Sequence, residues 1–321
     1  MAFWNRLPRP FCVMAPMADV TDPAFRALVA KYGKPDVTWT EFVSADGLYH
    51  TRAVHKMLDE ENPLLRDLAF TAAERPIVAQ IFSRNPDAIL YAATLIAELG
   101  YDGVDINMGC PDRAIERQGC GAAMIRTPLL AQEIIASAKK AGLPVSVKTR
   151  VGYESESLDE WLPALLAARP AAITLHLRTR KEMSLVPADW RLMQKAVALR
   201  DALAPEVLLI GNGDVTGLAD ARAKAATYGA DGVMIGRGMF GNPWVFSGRT
   251  SEETPIAEKL SALAELAHNF ELLRPKKHFA LLKKHVKAFV TGFDGAAELR
   301  AKLMEADSAA DLARVIAENP L

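Results

Sequence analysis

Gly103-Val104-Asp105-Ile106-Asn107-Met108-Gly109-Cys110-Pro111 is the stretch that decides how the chain is read. A short apolar run, 103–108, gives out at a glycine and a proline, and a cysteine stands between the two breakers. A thiol placed there faces a cleft rather than a core. The same pattern recurs in both directions: β-rich runs at 11–17, 37–42, 77–82, 145–150, 172–178, 207–211 and 232–236 also end in polar or glycine residues. Their spacing of roughly 25 to 40 residues is the length of a βα unit. Helical patterns fill the gaps at 23–32, 86–99, 128–141, 157–168, 190–203 and 217–228, several opened by a proline behind a capping residue.

Strands that are nearly all apolar and alternate with helices imply a parallel sheet covered on its outer face. Eight units close most simply into an α/β fold of the (β/α)8 TIM barrel type, with an open doubly wound sheet as the alternative. After Pro243 the β signal stops, and from 255 the chain reads as three or four helices separated near 274–275, 292–295 and 307–308. The expected organisation is a barrel at 1–248 and a small C-terminal helical domain at 255–321, joined by a polar segment.

Composition narrows the class. The 321 residues carry a net charge of −1, so a polyanionic partner would need a local basic patch rather than a global field. Cys12, Cys110 and Cys120 lack paired spacing, which fits a reducing cytosol better than a disulfide framework. No Cys-x-x-Cys or His-x-x-x-His spacing suggests a metal, and residues 1–10 read neither as a signal peptide nor as a membrane span. The expectation is a cytoplasmic monomer without a metal or membrane attachment.

In a barrel of this type the active mouth lies at the carboxyl ends of the strands. Those ends carry Pro16 and Met17, Glu41, Gln80, Asn107 and Cys110, Lys148, His176, Asn212 with Asp214, and Gly236 with Arg237. The glycine-rich turns Gly211-Asn212-Gly213-Asp214 and Gly236-Arg237-Gly238 follow the last two strands, where barrels commonly bind phosphate. The match of 236–241 to G-x-G-x-x-G lacks the following strand and acidic residue that a dinucleotide fold requires. Lys148 needs an anion or an electron-rich ring, unless it forms an ion pair with Asp105 or Glu41. His176 could equally be a satisfied core histidine, and Gln80 and Asn107 could cap strand ends. Cys110 has a rival thiol in Cys120, whose flanking glycines suggest a mobile segment; Cys12 sits in an apolar strand.

Taken together, Met14-Ala15-Pro16-Met17-Ala18 with Thr21-Asp22, the cysteine motif above, Val147-Lys148-Thr149-Arg150, Leu175-His176-Leu177-Arg178-Thr179-Arg180, and the two glycine turns resemble the tRNA-dihydrouridine synthases. The resemblance spans the barrel and reaches Lys284-His285-Val286. It implies flavin mononucleotide (FMN) contacted by Pro16, Met17, Ala18, Gln80, Lys148, His176, Asn212, Gly213, Asp214, Gly236 and Arg237. It also implies NADPH as electron donor, tRNA as partner, Cys110 as catalytic acid, and Asn107 orienting a uracil ring. Leu177 stands where the family usually has glycine, which would narrow the loop bearing the arginines; Cys120 replaces a more usual small residue.

An RNA partner needs a grip. Read as one helix, 276–290 places Lys276, Lys277, Lys283, Lys284 and Lys287 within an arc of about 120°. His278 and His285 fall on the apolar side, as seals of the domain interface. Arg178 and Arg180 are second candidates for RNA phosphates. Two other readings stay open: an FMN barrel that reduces a small molecule such as a free pyrimidine or an enone, and a non-catalytic RNA-binding protein on the same fold.

Overall fold

The computed structural model describes residues 3–319. Eight strands, β1 Phe11–Met14, β2 Thr38–Ser44, β3 Ile77–Phe82, β4 Gly103–Met108, β5 Val145–Arg150, β6 Ala172–His176, β7 Leu208–Asn212 and β8 Gly232–Ile235, pair in the order β1-β8-β7-β6-β5-β4-β3-β2. Every pairing is parallel. A parallel bridge between Val13 and Val37 joins the two ends, with the Met14 N–H donating to the Val37 carbonyl at 3.1 Å. The open-sheet alternative is thereby replaced by a TIM-type barrel.

Local chemistry explains the elements. Asp22 accepts from the Phe25 N–H at 3.0 Å and opens Pro23–Tyr32, and Asn85 caps Pro86–Glu98 in the same way. Gly232 must be glycine, because a Cβ would come within 2.2 Å of the Phe11 ring on the neighbouring strand. Several strands differ from the sequence reading by a few residues at their ends. The larger omission follows β2, where Ala45–Leu48 runs into a wide π-type turn, Tyr49–Val54, and a further helix forms at Pro63–Asp67. These pieces are too short to show a helical period.

The C-terminal helices are Ile256–Glu271, Lys283–Phe289, Ala296–Glu305 and Ala309–Glu318. Their breaks fall where the sequence placed them, but the expected single helix over 276–290 does not form. Residues 274–278 are non-helical, His278 Nδ1 accepts from the Ala280 N–H at 3.2 Å, and a 3-10 turn occupies Phe279–Leu282. The reason lies in Lys277. Its ammonium is drawn to the barrel and pairs with Glu41 at 2.9 Å and Asp67 at 3.0 Å, with only 5% of its side chain exposed. Lys276 and Lys277 therefore lie off the lysine-bearing helix. His278 is exposed rather than sealing anything. His285 does seal the contact: it is buried between Phe25 and Phe240, with ring centroids at 5.0 and 5.2 Å. Burial pulls its pKa down to about 3, so it packs as a neutral ring. Among the described residues, no helix is long and apolar enough to cross a membrane.

Lys277 thus ties the C-terminal helices to β2. Lys277→Ala would leave the buried Glu41 carboxylate without its cation, while Asp67 keeps Arg66, and should cost roughly 3–5 kcal/mol. The check is the thermal or urea midpoint; a midpoint equal to wild type would refute the tie.

Candidate active site

Alternation along β5 sets the site. Val147 and Thr149 are fully buried on the helix side, where Trp161 Nε1 donates to Thr149 Oγ1 at 3.1 Å. Lys148 and Arg150 consequently point the other way, into a cleft of about 280 Å³. The cleft is also lined by Pro16 and Met17 after β1, His176 and Arg178 at the end of β6, Ser184, Asn212, Gly213 and Asp214 at the end of β7, and Gly236 and Arg237 after β8. Of the cofactor residues expected from sequence, only Ala18 and Gln80 lie outside this lining.

The electrostatics of the cleft are one-sided. Lys148, Arg150, Arg178 and Arg237 face a single carboxylate, Asp214. Asp214 accepts from Arg178, from Arg237 at 2.6 Å and from the Ala188 N–H at 2.9 Å. The Arg178 guanidinium beside it holds its carboxyl below the usual range. Lys148 pairs with neither Asp105 nor Glu41; Glu41 belongs to Lys277. Burial, reinforced by Arg150, pulls the Lys148 amine down to about 8. His176 is held well below its ordinary value by burial and then by the surrounding cations. It is neutral, and its tautomer follows from geometry: the Arg178 guanidinium lies 3.1 Å from Nε2 and can only donate, so the ring proton sits on Nδ1.

Arg150 is the functional residue the sequence reading passed over. Its Nε donates to the Gly109 carbonyl at 2.8 Å, and its Nη1 to the carbonyls of Thr179 at 3.0 Å and Met183 at 2.8 Å. It braces the cysteine loop against the loop after β6. The i, i+2 relation to Lys148 within β5 was the available signal.

Cys110 is half-buried beside this brace, whereas Cys12 and Cys120 are buried. Burial raises the Cys110 thiol above its usual range, against the pull of Lys148 and Arg150, so it is protonated at neutral pH. Cys120 is pushed up to about 11, chiefly by burial. Its segment is packed, not loose: Gly119 lies against Arg84, and a Cβ on Gly121 would meet the Cys110 carbonyl at 2.5 Å. Gln80 and Asn107 lie below the cleft, where Asn107 Nδ2 donates to Gln80 Oε1 at 3.0 Å. Asn212 Nδ2 is spent on the Met234 carbonyl at 2.9 Å, tying β7 to β8.

The proposed RNA-facing residues are placed differently from one another. Arg178 is only 3% exposed and engaged with Asp214, and Arg180 grips Glu116 through both carboxylate oxygens. Neither guanidinium stands free at the surface. Leu177 is buried in the core, so it does not narrow the side on which His176 and Arg178 meet. Lys283 pairs with Asp307 at 3.2 Å and Lys284 with Asp19 at 3.7 Å, while Lys276 and Lys287 are exposed.

The family model described as "Dihydrouridine synthase (Dus)" matches residues 13–319. The chain belongs to the dihydrouridine synthase family. It is 39% identical over 319 residues to a "Probable tRNA-dihydrouridine synthase" of Staphylococcus aureus (strain COL), covering 98% of this chain and 95% of the relative. It is 41% identical over 311 residues to "Probable tRNA-dihydrouridine synthase 2" of Bacillus subtilis (strain 168), covering 95% and 93%. Among solved structures, a 2-naphthoyl-CoA reductase complex aligns with a TM-score of 0.56 at 10% identity, over 75% of this chain and 50% of that one. Histamine dehydrogenase from Rhizobium sp. 4-9 aligns at 0.52 and 13%, over 80% and 48%. The chain spans about half the length of these two structures, which share its fold.

Thiol reactivity reads the site directly. In the native protein an alkylating reagent should modify Cys110 and spare Cys12 and Cys120 until the chain unfolds, as followed by mass spectrometry. Because the Cys110 pKa is raised, its thiolate fraction should still be climbing above pH 9. Equal labelling of all three thiols, or a plateau near neutral pH, would contradict this arrangement.

Proposed function

We propose that this chain reduces a uridine in tRNA to 5,6-dihydrouridine, with FMN held in the cleft, NADPH as electron source and Cys110 as the proton donor. Family membership and the printed names of the relatives support the reaction. The observation that carries the cofactor is the Lys148 ammonium, which lines the cleft with three guanidinium groups and, among the described residues, forms no ion pair with a carboxylate. Such a cavity suits a phosphorylated, electron-rich ring.

Gly213, Asp214, Gly236 and Arg237 would hold the phosphate end, and Lys148 and His176 the ring, with Pro16, Met17, Ala18 and Gln80 closing around it. Bound and reduced, FMN would supply the hydride that adds to C6 of a uracil ring. The chain's own task is the other half of the addition. Cys110 gives its Sγ proton to C5, and solvent returns a proton to the thiolate. Neutral His176 offers Nδ1–H as a donor without adding charge, and Lys148 supplies the positive charge that favours an anionic ring. Asn107 gives one amide N–H to Gln80 Oε1 and retains the other for the uracil.

A base in folded RNA must be turned outward to enter this mouth. Lys276, Lys283, Lys284 and Lys287 would take the backbone, with the exposed Lys276 and Lys287 contributing most.

Purified protein should be yellow, with flavin absorption bands. Cys110→Ala should keep those bands and lower single-turnover dihydrouridine formation by about 10²–10⁴-fold, whereas Cys120→Ala should match wild type. A colourless protein that FMN does not reconstitute, or equal losses in the two variants, would overturn the assignment. Lys276→Glu and Lys287→Glu should each weaken tRNA binding and reduce the salt slope by about one; unchanged affinity would move the RNA elsewhere.

A further inference from the structure

Asp105 lies in β4 and is fully buried, and it takes no part in the chemistry above. No cation stands within ion-pair distance of it among the described residues. An isolated buried carboxylate is expensive, and an apolar residue would serve stability better. Each of its two oxygens nonetheless accepts a hydrogen bond. Oδ1 accepts from Ser146 Oγ at 2.5 Å and Oδ2 from Gln80 Nε2 at 2.6 Å.

The second of these bonds begins a chain that ends at the cysteine. Gln80, itself fully buried, accepts at Oε1 from Asn107 Nδ2 at 3.0 Å. Asn107 Oδ1 accepts from the N–H groups of Gly109 at 3.1 Å and Cys110 at 2.9 Å. Strand register supports the arrangement, since Gln80 is the direct partner of Asp105 in the β3–β4 ladder.

The direction of every bond follows from the first. An ionised carboxylate can only accept, so Gln80 must turn its NH₂ toward Asp105 and its carbonyl toward Asn107. Asn107 must then present its own NH₂, which leaves its carbonyl for the two main-chain N–H groups. Reverse Gln80, and acceptor faces acceptor at Asp105 and donor faces donor at Asn107. Reverse Asn107, and its NH₂ meets two N–H donors, so the turn carrying Cys110 loses both anchors. An amide is nearly symmetric in shape and needs such a bias to hold one orientation.

We infer that Asp105 is a positioning residue that, through Gln80 and Asn107, fixes the amide orientations anchoring the Gly109–Cys110 turn and so sets where the Cys110 thiol stands. The inference deepens the proposed role of Cys110 and rests on that reading for its catalytic consequence; the positioning itself does not. Burial pushes the Asp105 carboxyl up to about 6, while the bonds from Gln80 and Ser146 and the charge of Lys148 oppose the rise, so the bias is present at neutral pH.

The test uses polarity rather than deletion. Asp105→Asn is close to isosteric and neutral, and its amide can face Gln80 either way. Adding Gln80→Glu restores the original sense, because the amide introduced at position 105 can only offer its NH₂ to the new carboxylate, whose other oxygen accepts from Asn107. The readouts are amide hydrogen exchange of Gly109 and Cys110, measured without RNA, and kcat and KM for tRNA. Asp105→Asn should speed that exchange by about tenfold and lower kcat by about tenfold with KM unchanged, as loss of one buried charge-assisted bond implies. The double variant should return the exchange, which does not depend on the cofactor contacts of Gln80, to within about threefold of wild type. Wild-type exchange and kcat in Asp105→Asn would overturn the inference, as would a folded double variant whose Gly109 and Cys110 exchange is no slower than that of the single one. Should the double variant not fold, Asp105→Asn alone decides. If the wild-type protein reduces no uridine, the functional reading fails, and the exchange data still judge Asp105.

Discussion

In a closed parallel barrel every strand is hydrogen-bonded on both sides, so main-chain polarity is satisfied within the wall and polar side chains gather where the strands run out. Register then does the assembling. Asn107 lies beside Lys148, and two residues further along β5 Arg150 lies beside His176 and His176 beside Asn212, so two adjacent rows bring together β4 to β7 from segments far apart in the chain. A one-residue slip of β5 would exchange Lys148 and Arg150 for Val147 and Thr149 and remove two of the four cations that line the cleft. The buried contact between Trp161 and Thr149 on the opposite side guards against that slip.

These two rows have an electrostatic consequence. Burial, reinforced by the cations crowded into the cleft, keeps His176 neutral and lowers Lys148. Asp214 limits the crowding by holding Arg178 and Arg237 on one carboxylate, and Arg150 is held by carbonyl oxygens alone. At Cys110 the balance differs. The same cations favour the thiolate, yet burial outweighs them, and the sulfur keeps its proton. A thiol so placed is an acid rather than a standing nucleophile at neutral pH.

The sequence made legible what depends on local breakers and periodicity. Eight strands, their order of appearance, the polar residues at their ends and the breaks between C-terminal helices all leave such marks. It did not reveal pairings between distant charges. Nothing near Lys277 announces that it leaves a helical lysine face to join Glu41 and Asp67, and nothing near Arg180 announces Glu116. Arg150 was passed over for a related reason. A basic residue closing a strand reads as a solvated end, and only the fold shows its guanidinium buried against three carbonyls.

The glycines around the cysteines illustrate how the same residue supports opposite readings. From sequence, Gly119 and Gly121 suggest freedom of movement. In the fold both adopt left-handed backbone, with φ of +74° and +60°, and Gly121 lets the chain close on the Cys110 carbonyl, which also accepts from the Ala122 N–H at 2.9 Å. The Gly109–Cys110 turn is therefore fixed from three sides: by Asn107 at its N–H groups, by Arg150 at the Gly109 carbonyl and by Ala122 at the Cys110 carbonyl. A proton donor is effective only within hydrogen-bond reach of the atom it protonates. Glycine here provides the close approach that holds the thiol-bearing turn still.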